Sequence, residues 1–186
     1  MKNSAYFSVP VLFLCLLLLL TGCGVHDQNS EEDKEGRVSE SAQIRPDDDE
    51  IVWSEVNENG VDVDLLMENT DREVLEYIAR QLQDLCDQIG KKGEEDKNYW
   101  LTGQWYADAT ESARYQNVVS LGRKAMKPLL LILCRSDTSG MYEWICSKAL
   151  EEVSGFDFSD TNNGAGWKNS EEFLEMFIDR ITEQKR

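Results

Sequence analysis

The chain has 186 residues, 36 of them acidic against 19 Lys and Arg, and a formal net charge of -17. A field of that sign repels phosphate backbones and anionic lipid headgroups, so nucleic acid is not expected as a partner. The single histidine, His26, lies in a polar stretch with no rigid scaffold to orient an imidazole, which excludes histidine-based catalysis and a histidine zinc site.

In chain order, a basic opening, Met1-Lys2-Asn3, leads into an apolar stretch from Tyr6 to Leu20 that includes the run Leu16-Leu17-Leu18-Leu19-Leu20. A membrane span needs about 20 consecutive apolar residues, and this stretch falls short, so it reads as a removable export signal. Leu20-Thr21-Gly22-Cys23 follows: a branched apolar residue, two small residues and a cysteine. At the end of such a stretch it resembles the lipobox of bacterial lipoproteins. The resemblance implies cleavage between Gly22 and Cys23, a diacylglyceryl group on the Cys23 thiol, and retention on the outer face of the cell membrane, with a Gram-positive source favoured. Two acyl chains hold a protein firmly where one binds only marginally, so the anchor needs no help from protein charge. Cys15 would leave with the signal, residues 1–22.

Gly24 to Gly60 carries 12 acids and 3 bases and is poor in apolar residues. Such a segment cannot bury enough surface to offset its ordering entropy, so residues 23–60 are expected to be the lipidated cysteine and a disordered acidic tether. A flexible chain of that length spans roughly 35 Å. Ile51-Val52-Trp53 is the first segment expected to dock on the folded part. Residues 61–186 suffice for one domain with a modest core.

Within that domain, Thr70-Asp71-Arg72-Glu73 has the form of a capping box. Val74, Leu75, Ile78, Leu82, Leu85 and Ile89 then recur at helical spacing, with Gly90 as the expected stop. Gly93 to Gly103 looks irregular. A second helix is expected from about Asp108 to Leu121, ending at Gly122, and a third through Ala125, Leu129, Ile132 and Leu133, where Pro128 is tolerated in the first turn. Tyr142, Ile145, Cys146, Ala149 and Val153 line a fourth, closed by Gly155. Asn169 and Glu172 cap a fifth, with Phe173, Phe177 and Ile181 on one face. Period-2 alternation is short or absent, so the expected fold is all-α, a compact bundle of about five helices.

The stretch from Val118 to Leu130, where one helix ends at Leu121-Gly122 and the next begins near Ala125 and Pro128, resembles a HEAT-like unit. Tyr142 to Ile181 would form a second, divergent one. The chain is also similar to uncharacterised lipoproteins of Firmicutes that carry such a helical domain. The resemblance covers at most the C-terminal half of the mature chain, and two units fall short of the three a solenoid usually needs. It implies helix-pair packing and a binding surface, and names no ligand.

Candidate chemistry is sparse. Cys86, Cys134 and Cys146 remain after export into a compartment where disulfides form. Cys134 and Cys146, six residues either side of Gly140, could face each other on two antiparallel helices, although small buried residues at apolar positions is the simpler reading. No CxxC spacing exists. Asp157, Asp160, Asn162 and Glu171 invite comparison with a calcium loop, but the position that requires glycine for the turn is Ala165, so no metal is expected. Acids are spread over every helix, and no pair stands out as general acid and base. No cofactor is implied.

Tyr99, Trp100, Trp105 and Tyr106 cluster around Gly103 and offer either a platform for sugar rings or a peptide, or a roof over the core between the first two helices. The leading expectation is a non-enzymatic, membrane-anchored binding or scaffold module for a peptide, protein or cell-wall component. The alternatives are an envelope hydrolase working with carboxylates alone, and a structural or immunity-type lipoprotein.

Overall fold

A computed structural model describes residues 51–161 and 166–186. Residues 1–50, which hold the expected export signal, the expected lipidation site Cys23 and the expected tether up to Glu50, and Asn162 of the loop compared with a calcium site lie outside the described residues.

The described chain is mostly helical, as its periodicity predicts. It begins earlier than Val61, however. Trp53, Glu55 and Val56 are buried, and a two-residue hairpin pairs β1 (Val56–Asn57) with β2 (Gly60–Val61), Val56 opposite Val61. Gly60 takes φ +108° at the turn, a value that suits glycine. The hairpin is too short to show alternation, and tertiary contacts hold it. The Trp53 ring meets Phe177 edge-on at 5.9 Å, and Lys185 Nζ donates to the carbonyl oxygens of Trp53 and Val56.

α1 (Val63–Glu68) starts at Asp62, whose Oδ1 accepts from the Leu65 amide at 3.1 Å. α2 (Arg72–Glu95) is capped by Asp71, not by Thr70: Asp71 Oδ1 accepts from the Glu73 and Val74 amides, while the Thr70 hydroxyl donates back to the Leu66 carbonyl. α2 also runs straight through Gly90 and buries Ile78, Leu82, Leu85, Cys86 and Ile89 on one stripe. A glycine inside a helix costs about 1 kcal/mol relative to alanine, which a packed stripe of this length outweighs.

The second expected helix is two short ones, α3 (Gln104–Thr110) and α4 (Ala113–Val119). Ser112 separates them, its side chain accepting from the Tyr115 amide and restarting the helix. The chain turns at Gly122 (φ +55°) through a short 3-10 segment, Gly122–Ala125, into α5 (Met126–Arg135). α6 (Met141–Ser154) ends at Gly155 in the left-handed conformation, and α7 (Ser170–Gln184) starts at Asn169, whose Oδ1 accepts from the Glu172 amide at 2.8 Å. Both ends fall where the sequence places them.

α5 packs most extensively on α6; α2 lies across α3, α4, α5 and α6; and α7 closes against α6 and β1. The core between them holds Leu82, Leu129, Leu130, Ile145, Ala149, Phe173 and Phe177, each essentially removed from water. No helix among the described residues is long and apolar enough to cross a membrane.

Candidate functional site

The four aromatic residues picked out around Gly103 separate into two pairs with different surroundings. Tyr99 is only 6% exposed, and its hydroxyl donates to Asp108 Oδ2 at 2.8 Å. Its neighbour Trp100 lies edge-on to it at 5.4 Å and runs over α2 at Gly93. A Cβ at position 93 would sit 2.2 Å from the Trp100 indole, so the close approach requires glycine there. This pair roofs α2.

Trp105 and Tyr106, in the first turn of α3, stack on each other with centroids 3.8 Å apart. Trp144 of α6 meets both edge-on, at 5.1 and 4.8 Å, and Trp167 follows at 5.8 Å from Trp144. Trp167 then contacts Phe173, which stacks on Phe177. Trp105, Trp144 and Trp167 are half-buried and Tyr106 is 45% exposed, so an accessible row of rings, Tyr106, Trp105, Trp144 and Trp167, is continuous with the aromatic core. Such offset and edge-to-face contacts contribute about 0.5–1.5 kcal/mol each beyond area burial, and they hold the row rigid.

Trp144 and Trp167 were not legible as site residues from the grouping around Gly103, because they are remote in sequence. Trp144 carries one signal: it falls off the Tyr142, Ile145, Cys146, Ala149 and Val153 stripe of its helix, where a tryptophan is left partly exposed. Trp167, in the connection before α7, carries none.

α3 is seven residues long and has no side-chain N-cap, so its position depends on tertiary contacts. Gly103 turns the chain with φ +70°. Asp108 then latches α3 to its neighbours: Oδ2 accepts from Lys92 Nζ (2.6 Å) and the Tyr99 hydroxyl, and Oδ1 from Gln104 Nε2 (3.2 Å). Lys92, followed by Tyr99 and Gln104, holds the Asp108 carboxyl below the usual range. Burial, with Asp108 beside it, pushes the Tyr99 hydroxyl up to about 12. Asp108 is thus an ionised latch with both oxygens in use.

The other shifted carboxyl groups move in the same direction. Burial alone would raise Glu143, but hydrogen bonds from Ser136, the Gly140 backbone amide and Thr138 outweigh it and hold it low, closing the start of α6. Glu55, fully buried, is likewise lowered: desolvation is outweighed by Lys127 at 2.6 Å and Asn69 at 2.7 Å. Asp157 is lowered by Ser159. A general acid needs the opposite shift. No group of three or more His, Cys, Asp or Glu side chains among the described residues is placed to hold a metal ion.

Cys86, Cys134 and Cys146 are free thiols in the structure. Burial pushes Cys86 up to about 12 and Cys134 up to about 11, and raises Cys146 well above its ordinary value. Thiols so shifted are poor nucleophiles at neutral pH.

The structure also has a depression of about 240 Å3 beside Asp108 and Glu111, and a cleft of about 510 Å3 beside Lys127. Neither is lined by the ring row. No protein-family model, curated protein or solved structure matches the chain.

Proposed function

We propose that this chain is an exported lipoprotein, held on the outer face of the cell membrane by diacylglycerol on Cys23, whose helical domain is a non-enzymatic binding module for a cell-wall component. The address is supported by the apolar stretch ending at Leu20-Thr21-Gly22-Cys23. The binding role is supported by one observation above all, the accessible row Tyr106, Trp105, Trp144 and Trp167.

A rigid row of half-exposed rings suits the apolar faces of sugar rings, which stack flat on aromatic surfaces and need no deep pocket. The net charge disfavours polyanions, which leaves the uncharged saccharide part of the wall as the preferred ligand. The hydrolase alternative finds no support in the carboxyl groups whose shifts are resolved, since all four are lowered.

The test is a titration of soluble wall saccharide fragments into the mature protein, followed by tryptophan fluorescence, with Tyr106→Ala and Trp144→Ala as variants. Tyr106 is the cleaner probe because it is the most exposed of the four. Each variant should weaken binding about tenfold, which corresponds to about 1.4 kcal/mol of lost stacking. A wild-type protein that ignores the saccharides, or a Tyr106→Ala variant that binds as tightly as wild type, would contradict the proposal.

A further inference from the structure

The cleft of about 510 Å3 lies among the starts of α2 and α5, and its volume falls within the range of about 300–1000 Å3 that small-ligand sites occupy. Its lining divides by chemistry. Val52, Val74 and Pro128 are apolar, and Val52 is 71% exposed, a large apolar side chain standing in water. Arg123, Lys124 and Lys127 are cationic, which in a chain of net charge -17 is a local inversion of sign. α5 begins among them without a side-chain cap, so the positive end of its backbone dipole adds to the same field.

Charge at the cleft comes close to balance, but not fully. Lys127 pairs at 2.6 Å with the fully buried Glu55, so that cation is already neutralised. Arg123 and Lys124 are exposed, and neither makes an ion pair or side-chain hydrogen bond with a described residue. Asp71, the one carboxylate in the lining, offsets one of these two. A single positive charge is left over beside an apolar wall. We propose that the cleft binds a ligand carrying one carboxylate on an apolar body, the chemistry shared by the C-terminus of a short apolar peptide and a free aliphatic acid. The Arg123 guanidinium can take both carboxylate oxygens, with Lys124 beside it, while the apolar body covers Val52, Val74 and Pro128. A phosphate monoester, with nearly two charges, exceeds the local balance and meets more of the repulsion of the whole molecule.

The test is a titration of the full mature chain, followed through the backbone amide resonances of Arg123, Lys124 and Lys127. The probes are acetylated dileucine, its uncharged carboxamide, hexanoate and phenyl phosphate. At least one of the two carboxylates should shift these resonances saturably. The carboxamide should bind about tenfold more weakly than the peptide acid, and Arg123→Gln should weaken carboxylate binding by about the same factor. Lys91→Gln removes one charge at an exposed site about 25 Å along α2 from Val74, well beyond a Debye length, and should leave the affinity unchanged. Binding of the peptide acid alone identifies a peptide terminus as the source and binding of hexanoate alone a free acid; either supports the proposal. It is overturned by an absence of saturable shifts with both carboxylates, by equal affinity for acid and carboxamide, or by tighter binding of phenyl phosphate. Unchanged affinity in Arg123→Gln, or equal weakening by Lys91→Gln, overturns it as well.

Discussion

Glu55 shows how a single side chain can commit a region of this protein. It is wholly buried, yet one carboxylate oxygen accepts from Lys127 and Asn69, so its charge is kept only because those partners are present. Breaking a buried pair by removing one partner leaves an uncompensated charge, and Lys127→Met should cost about 3–5 kcal/mol of stability. The pH dependence follows from the direction of the shift. Because the folded carboxyl is held below its usual 4.5, the stability it contributes is present above that value and is lost as pH falls through the folded pKa. The gap between wild type and Lys127→Met in urea unfolding should therefore be widest at neutral pH and narrow below 4.5. A gap that stayed constant into acid would show that lost packing of the lysine stem, and not charge, sets the cost.

At the scale of elements, α3 is the instructive case, since it carries two of the accessible rings but has little intrinsic stability. Its latch is Asp108 with Lys92, Tyr99 and Gln104. Tyr99→Phe removes one hydrogen bond to that latch, which typically costs about 1 kcal/mol, and touches none of the four rings. It should nonetheless speed amide hydrogen exchange across Gln104–Thr110 and weaken saccharide binding; unchanged exchange there would mean that the rings themselves hold α3 in place. The parts read correctly from sequence are those set by local chemistry: the Asn169 cap, the Gly155 stop, and the apolar stripes of α2, α6 and α7. The parts missed are set by neighbours. α1 is too short for a stripe, and it competes for the Thr70 hydroxyl, which leaves capping of α2 to Asp71. Gly90 does not stop α2, and Gly93 is there for Trp100 and not for a turn. Half of the ring row was legible as a cluster around Gly103, while Trp144 and Trp167 join it only through the packing of α6 and the connection before α7.

For the whole molecule, charge and address are linked. A strongly acidic chain gains nothing from the surface of an anionic bilayer, so on the proposed address attachment would fall to lipid alone, and a two-chain anchor would suffice without basic residues. No helix among the described residues is long and apolar enough to cross a membrane, and on the proposed address a ligand of the accessible rings would be met outside the cell. All of this depends on Cys23. The most direct measurement is the intact mass of the protein extracted by detergent from its native membrane, beside a Cys23→Ala variant. The account predicts a mass equal to residues 23–186 plus a diacylglyceryl group, with or without a further acyl chain on the new amino terminus, and neither modification nor membrane retention in the variant. A soluble species without lipid, or a wild-type protein still carrying residues 1–22, would contradict it.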